Sequence, residues 1–373
     1  MTAANASTRH TEFTPHLASL ICRRNEYDMP LLSSGLAPVL RLLESPRRMR
    51  ILTNFERFPE KWRSSSGLTG EAERLQGSAW QFFRASKRAD LVLINCDLTL
   101  AMKLAALYLI FPWRRKPIHM HDVILRRPIT LKARLAVIPK RFLISRLDHM
   151  TIHFRDLSGY RRFFGVRPER VSYLPFKPNI RNRYHYKVGA EGEYVLCFGR
   201  SERDYDTFFR AMELLPDVPA AIPPPNFASF RKHGARFTYG IDRLPPNVGI
   251  VPDEGTEESM IRILENARLI ALPLIAGRIG PSGVGLYLTA MLMGKCVITS
   301  HGPTTTDVLL NGEALLVAPE DPAALAAMIR RAWDDRQLRE RTAEIGRGYA
   351  EACGGEPELL QRVLDRAVEV FGS

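Results

Sequence analysis

The chain has 373 residues, 45% of them hydrophobic and 25% charged, the proportions of a folded globular protein and enough length for two domains. Its 53 Lys and Arg against 40 Asp and Glu give a net charge of +13. Residues 1–190 hold 34 basic and 14 acidic side chains, net +20, whereas 191–373 hold 19 and 26, net −7. Such asymmetry points to two domains with different partners, the first meeting something anionic: nucleic acid, an anionic membrane surface or a phosphorylated substrate. Cys22, Cys96, Cys197, Cys296 and Cys353 are odd in number and scattered, so no disulfide framework or zinc spacing is written and a reducing compartment is expected. The apolar run 17–22 is too short for a signal peptide, and the longest one, 98–113, contains Lys103 and falls short of the roughly 20 residues that span a bilayer.

Residues 1–48 have weak periodicity, broken by Pro15, Pro30, Pro38 and Pro46, and read as an N-terminal extension. Regular alternation starts at 49–54, a short buried-strand pattern headed by Met49, itself a second candidate start. A loop at 63–67 and a helical run through Trp80–Phe83 follow. Residues 90–95 form an apolar run bounded by polar residues, as a buried parallel strand does. A helix over 98–111, a strand over 117–122, a basic helix over 129–147, a strand over 150–154 and a helix over 157–164 come next. Strands separated by helix-length segments predict βαβ units and a parallel sheet.

The polar, glycine-containing stretch around 179–192 falls where the charge changes sign and is the best linker. The alternation then restarts, with strands at 194–199, 220–223, 247–251, 267–272, 296–299 and 314–317. Helices are expected at 206–215, 256–266, 285–293, from 322 to about 333 after the N-cap Asp321 and Pro322, and at 356–371. The resulting organisation is an extension at 1–48, an acceptor-side domain at 49–180, a linker at 181–192, a donor-binding domain at 193–355, and a C-terminal helix at 356–373 that crosses back to the first domain.

The most informative segment is 277–286, Gly-Arg-Ile-Gly-Pro-Ser-Gly-Val-Gly-Leu, which follows a strand and opens a helix. Small residues let backbone N–H groups approach an anion and the helix dipole favours negative charge, so a diphosphate fits there. It is not the dinucleotide fingerprint, because the third glycine and the acidic residue about 20 positions on are missing. An ordinary tight strand-to-helix turn is the competing reading.

The segment 283–303, with Ala290-Met291, Gly294-Lys295 and Val297-Ile298, resembles the donor region of GT-B glycosyltransferases, family GT4 in particular. Asn311 to Pro322 resembles the closing pattern of that region, Phe198 to Tyr205 the first strand and loop of the nucleotide domain, and 148–177 the segment before the linker. The resemblance covers most of 49–355. It implies an α/β GT-B fold, two Rossmann-like domains facing each other across a cleft, and transfer of a sugar from a nucleotide sugar, with retention and without a metal or other cofactor, the nucleotide sugar being a substrate. It places Arg203, with Arg200 as a second candidate, on the donor diphosphate beside Gly199, and gives Ser282 and Gly283 the role of amide donors to the phosphates. For either arginine, a solvated surface charge is the alternative. His121-Asp122, ending a strand of the first domain, resembles the position of a histidine at the reaction centre; a structural histidine is the alternative. The chain departs from the family pattern in its paired glutamates: Pro281 and Thr289 stand in their places. Thr289 is expected to hydrogen-bond a ribose hydroxyl, more weakly than a carboxylate would. The loop 251–254 is the expected place for the base.

Between Arg114 and Lys187 there are 19 basic and 4 acidic residues. Residues 129–138 mix apolar and basic residues as an interfacial helix does, with Pro139 expected to bend or end it. A core-packed helix with solvated arginines is the alternative. Together these readings describe a cytoplasmic hexosyltransferase, peripheral on the inner face of the membrane, whose acceptor is lipid-linked or a growing polysaccharide. A catalytically silent GT-B module that binds nucleotide or glycan is the second reading. A nucleic-acid binder is the third and is disfavoured, since no helix-turn-helix, zinc or aromatic-platform signature accompanies the charge.

Overall fold

A computed structural model describes residues 48–180 and 186–372; residues 1–47 of the expected extension, residues 181–185 of the expected linker and Ser373 lie outside the described residues. The first sheet contains β1 (Met49–Thr53), β2 (Lys61–Arg63), β3 (Thr69–Arg74), β4 (Leu91–Asn95), β5 (Ile118–His121), β6 (His149–Ile152) and β7 (Val171–Tyr173). Their order is β2-β3-β1-β4-β5-β6-β7, parallel throughout except for β2, which pairs antiparallel with β3. Helices α1 (Ala79–Ala85), α2 (Leu98–Ile110), α3 (Leu131–Ile144) and α4 (Ser158–Phe164) belong to this half. One face of the sheet builds a core from Val92, Ile94, Met120 and Ile152 with Phe82, Leu104 and Tyr160.

The second sheet holds β8 (Tyr194–Leu196), β9 (Ala220–Ile222), β10 (Val248–Ile250), β11 (Ala267–Leu272), β12 (Val297–Ser300) and β13 (Leu315–Val317), all parallel in the order β10-β9-β8-β11-β12-β13. Helices α5 (Tyr205–Glu213), α6 (Phe227–His233), α7 (Glu257–Glu265), α8 (Val284–Leu292), α9 (Pro322–Asp334) and α10 (Arg336–Cys353) accompany it. β11 is buried almost end to end because hydrophobic cores form on both of its faces, which is why it reads as a continuous apolar run. The last helix, α11 (Glu356–Phe371), lays Leu360, Val363, Leu364 and Ala367 on the β1 and β4 side chains Met49, Ile51, Leu91 and Leu93 of the first sheet.

Several elements differ from the sequence reading. Only a loop at 63–67 was expected where the β2–β3 pair stands; β3 is an outer parallel partner of β1 whose inward positions are only Gly70 and Ala72, so its burial leaves no apolar run. Helices α6 and α10 had no expected counterpart; α6 is only seven residues long, and α10 is held by i,i+4 pairs such as Arg336–Glu340 and Arg347–Glu351 as much as by an apolar face. Helix α3 does not end at Pro139 but continues to Ile144. Pro139 and Leu135, whose carbonyl loses its intrahelical partner, are both exposed residues.

Candidate functional site

The two halves meet at the carboxyl ends of their strands. Arg126 Nη1 donates to the Lys232 carbonyl across the gap (2.8 Å), and the backbone N–H of Asn179 donates to Thr289 Oγ1 (2.9 Å). The glycine turn also faces the first domain: a β-carbon at Gly280 would lie 2.7 Å from the Leu125 carbonyl oxygen, and one at Gly159 would meet Ile279 at 2.4 Å. Close backbone approach therefore requires glycine at both positions.

On the second-domain side of the cleft lies a cavity of about 630 Å³, walled by the loop after β8, the N-terminus of α8 and the loop before α7. Arg203 is its central group. The side chain is fully buried; Nε donates to the Phe198 carbonyl (2.9 Å) and Nη1 to the Pro273 carbonyl (3.3 Å), while Nη2 has no partner among the described residues. Nη2 sits between two glycines of left-handed backbone: β-carbons at Gly199 (φ +99°) and Gly283 (φ +75°) would lie 3.2 and 3.4 Å from it. Burial lowers the arginine's pKa, and among the described residues no carboxylate is paired with it. A desolvated guanidinium with one arm unspent is an unfavourable group to bury alone, and an anion at that arm supplies what it lacks.

The N-terminus of α8 adds to this. Gly283 is its N-cap and makes no side-chain bond, and Val284 and Gly285, as the first helical residues, have no intrahelical acceptor for their N–H groups. Positive dipole, open amides and the buried Arg203 arm converge on one spot, the chemistry of a diphosphate site. Arg200 is exposed on the rim of the same cavity. Gly199, Arg200, Arg203 and Gly283 are thus brought together.

The Ser282 hydroxyl is spent within the turn: Oγ donates to the Ser201 carbonyl (2.5 Å), tying the glycine turn to the β8 loop without engaging the backbone amide expected to meet the phosphates. One expected donor-side residue acts differently. Thr289 is fully buried, donating from Oγ1 to the Gly285 carbonyl (2.6 Å) and accepting from Asn179 N (2.9 Å), and it does not line the cavity. The expected ribose contact is therefore corrected; Thr289 is a clasp between α8 and the interdomain segment that holds Asn179. Of the expected base loop, Asp253 reaches the cavity, but its Oδ1 accepts from Gly255 N and Ser259 Oγ (2.9 Å each) at the start of α7.

The first-domain pair is split. His121 is buried, with Nδ1 2.8 Å from Thr151 Oγ1 and its ring 5.1 Å from that of His153 and 5.5 Å from that of Phe55. Burial, then His153 and His119, hold its pKa well below the usual histidine value, so it is a neutral ring packed in the sheet and lines neither cleft cavity. The expected exposure of His121 to the cleft is corrected on that ground. Asp122 is half-buried in the left-handed region (φ 52°), accepting from Cys96 Sγ (3.3 Å), and Cys96 has φ 55° at the end of the adjacent strand. Non-glycine residues in this conformation mark a site the surrounding structure over-determines.

A second cavity, of about 810 Å³, opens between the ends of β1 and β4, the interdomain segment 177–180 and the start of α11. Asn54, Gln76, Asn95 and Asn179 supply carboxamides to its wall, and Lys177 pairs with Glu356 across it (3.0 Å). Asn179 lines both cavities and joins them. It had no sequence signal: it is a single amide in an irregular segment, and its backbone is tied to the buried Thr289.

Residues 233–335 match the family model described as glycosyl transferases group 1. Among solved structures, the chain is similar to HepE (Alr3699) of Anabaena in complex with UDP, with a TM-score of 0.59 and 16% identity over 81% of this chain and 86% of that one. The complex of the same protein with UDP-glucose gives 0.58 and 14% over 86% and 100%. The sucrose-phosphate synthase of Thermosynechococcus elongatus gives 0.60 and 15% over 91% and 94%. No curated protein sequence matches the chain. The fold is GT-B, two parallel-sheet α/β domains across a cleft. Within it, the second domain carries the pattern of glycosyl transferases group 1, in line with the resemblance read from the sequence.

Proposed function

We propose that the chain is a GT4-like hexosyltransferase that takes a sugar from a nucleotide-sugar donor and passes it, with retention of anomeric configuration and without a protein-held metal or other cofactor, to a lipid-linked or polysaccharide acceptor at a membrane surface. The observation that carries this reading is the unspent Nη2 of the buried Arg203, aimed between Gly199 and Gly283 at the open N-terminus of α8. In the reaction the bond from the anomeric carbon to the diphosphate oxygen breaks, an acceptor hydroxyl oxygen bonds to that carbon on the same face, and the hydroxyl proton passes to an oxygen of the departing diphosphate. Negative charge collects on the departing nucleoside diphosphate, where Arg203 and the α8 amides stabilise it. Arg200 on the rim screens the same charge. His121, neutral and bonded to Thr151, supports the strand end that presents Asp122. The similar Anabaena structures hold UDP and UDP-glucose, which makes uridine nucleotides the first donors to try.

Calorimetric titration of the purified chain with UDP, GDP and ADP and their glucose or mannose conjugates tests the reading. One of them binds, and Arg203→Met weakens it; absence of binding by all of them refutes it. A catalytically silent module is the second reading, favoured by Pro281 and Thr289 at the glutamate positions. It predicts the same binding with no turnover when membranes supply acceptor.

A further inference from the structure

Helix α3 is an exposed apolar stripe. Leu131, Leu135, Ile138 and Phe142 recur at the spacing of one helix face, yet they are 74, 60, 68 and 49% exposed, and Ile129 just before the helix is 77% exposed. Within the helix only Ile144 is buried. A soluble surface seldom leaves so many large apolar side chains contiguous and uncovered. Helix α2 packs on α3, and at its end Ile110 is 64% exposed and Trp113 of the following turn 77%.

The charge around the stripe is of one sign. Residues 123–147 contain seven basic side chains (Arg126, Arg127, Lys132, Arg134, Lys140, Arg141, Arg146) and no acidic one. The same face of a second copy would bring the same positive charge to a two-fold interface and be repelled. A nucleic acid would satisfy the arginines and lysines and leave the apolar stripe in water. An anionic bilayer satisfies both, with the apolar face at the acyl boundary and the basic residues among phosphates. Pro139 is no obstacle there, because the Leu135 carbonyl it frees is hydrated at headgroup depth.

We propose that α3, with Ile129, Ile110 and Trp113, is the face by which the chain docks on an anionic phospholipid bilayer, and that docking carries the cleft rim to headgroup level. The stretch leading into α3 forms that rim: Arg126 crosses to Lys232, and Arg127 reaches the turn at Gly277, where a β-carbon would lie 2.6 Å from its Nη1. A lipid-linked acceptor, rather than a free polysaccharide end, is what such an orientation presents to the cleft. This last step rests on the glycosyltransferase reading; the docking face itself does not.

The test is co-sedimentation of the full chain with vesicles of phosphatidylcholine alone and with about one-third phosphatidylglycerol, at low and high salt. The account expects binding to the anionic vesicles, weakened by salt, and a loss of at least tenfold in the Leu135→Glu/Ile138→Glu variant. These positions are exposed, so thermal unfolding and nucleotide titration of the variant stay at wild-type values and separate this test from that of the donor site. Blue-shifted tryptophan emission on vesicle addition, absent in Trp113→Phe, places the α2 end in the interface. No binding to anionic vesicles overturns the proposal, as does binding that the double variant retains. A concentration-dependent dimer that the double variant dissociates, or salt-dependent RNA binding in place of vesicle binding, overturns it as well.

Discussion

Arg203→Met removes the cation while nearly keeping the side-chain length. Two carbonyls, Phe198 and Pro273, lose their donors at 2.9 and 3.3 Å, a loss of roughly 1 kcal/mol each as typical net hydrogen bonds. Against this, a fully buried charge without a carboxylate partner is removed, and apolar replacement of such a group is often neutral or stabilising. The unliganded variant is therefore expected to unfold within about 2 kcal/mol of wild type. Donor binding behaves differently, because the Nη2 arm is the group with no internal partner. A charge-assisted bond to a phosphate contributes about 1.5–3 kcal/mol, so affinity for the nucleoside diphosphate falls about 10- to 150-fold. At a ligand concentration one hundred times the wild-type Kd, wild type gains about 2.7 kcal/mol of stability; a variant with a hundredfold weaker Kd gains only about 0.4 kcal/mol. Isothermal titration together with denaturant unfolding, with and without ligand, reads both numbers. A variant that binds within threefold of wild type, or that is grossly unstable without ligand, refutes the reasoning.

Thr289→Val removes the bonds to Gly285 and Asn179 without opening the donor cavity. It is expected to lose about 1–2 kcal/mol of stability with donor Kd unchanged within threefold, and a tenfold weaker Kd would restore the ribose role for this residue. Lys295 is a buried ammonium whose three N–H groups reach the carbonyls of Ala190, Glu265 and Ala267 at 2.6–2.8 Å. Lys295→Met should cost about 3 kcal/mol in urea unfolding and leave nucleotide titration unaltered. In the first sheet, burial pushes His119 down to about 3 and His149 to about 4 from the ordinary 6.5. Both are depressed in the folded state, so their contribution is whole above pH 6.5 and is lost as pH falls toward 4. The urea midpoint should drop between pH 7 and 5, with a shallower drop in His149→Gln; a flat profile would show that these rings do not control acid stability.

What the sequence made legible depended on whether an element announces itself by its own apolar pattern. β4, β11 and β12 do, because both of their faces are buried, and the glycine turn at 277–286 does, because close approach and left-handed backbone leave no alternative residue. The pairing of Arg203 with Gly199 and Gly283 was legible only through the family resemblance; the burial that makes the arm reactive is a tertiary fact. β3 was missed because its inward side chains are glycine and alanine. Thr289 and His121 were read through the family resemblance, and both spend polar atoms on neighbours that no local pattern identifies: the backbone of Asn179, 110 positions away, and Thr151 on the adjacent strand. The basic excess of the first half divides in the same way. Its sign was plain from counting, whereas the exposure of Leu131, Leu135, Ile138 and Phe142 needed the structure, since a core-facing amphipathic helix has the same spacing.

The central claim is that a nucleoside diphosphate occupies the cavity at the N-terminus of α8. A crystal structure of the chain with UDP, or with whichever nucleoside diphosphate titrates, tests it most directly. The account predicts phosphate oxygens within hydrogen-bond distance of Arg203 Nη2 and of the backbone N–H groups of Gly283 and Val284, with Thr289 still bonded to Gly285 and Asn179. A nucleotide bound elsewhere, or one in this cavity whose phosphates leave the Arg203 arm unpaired, would contradict it.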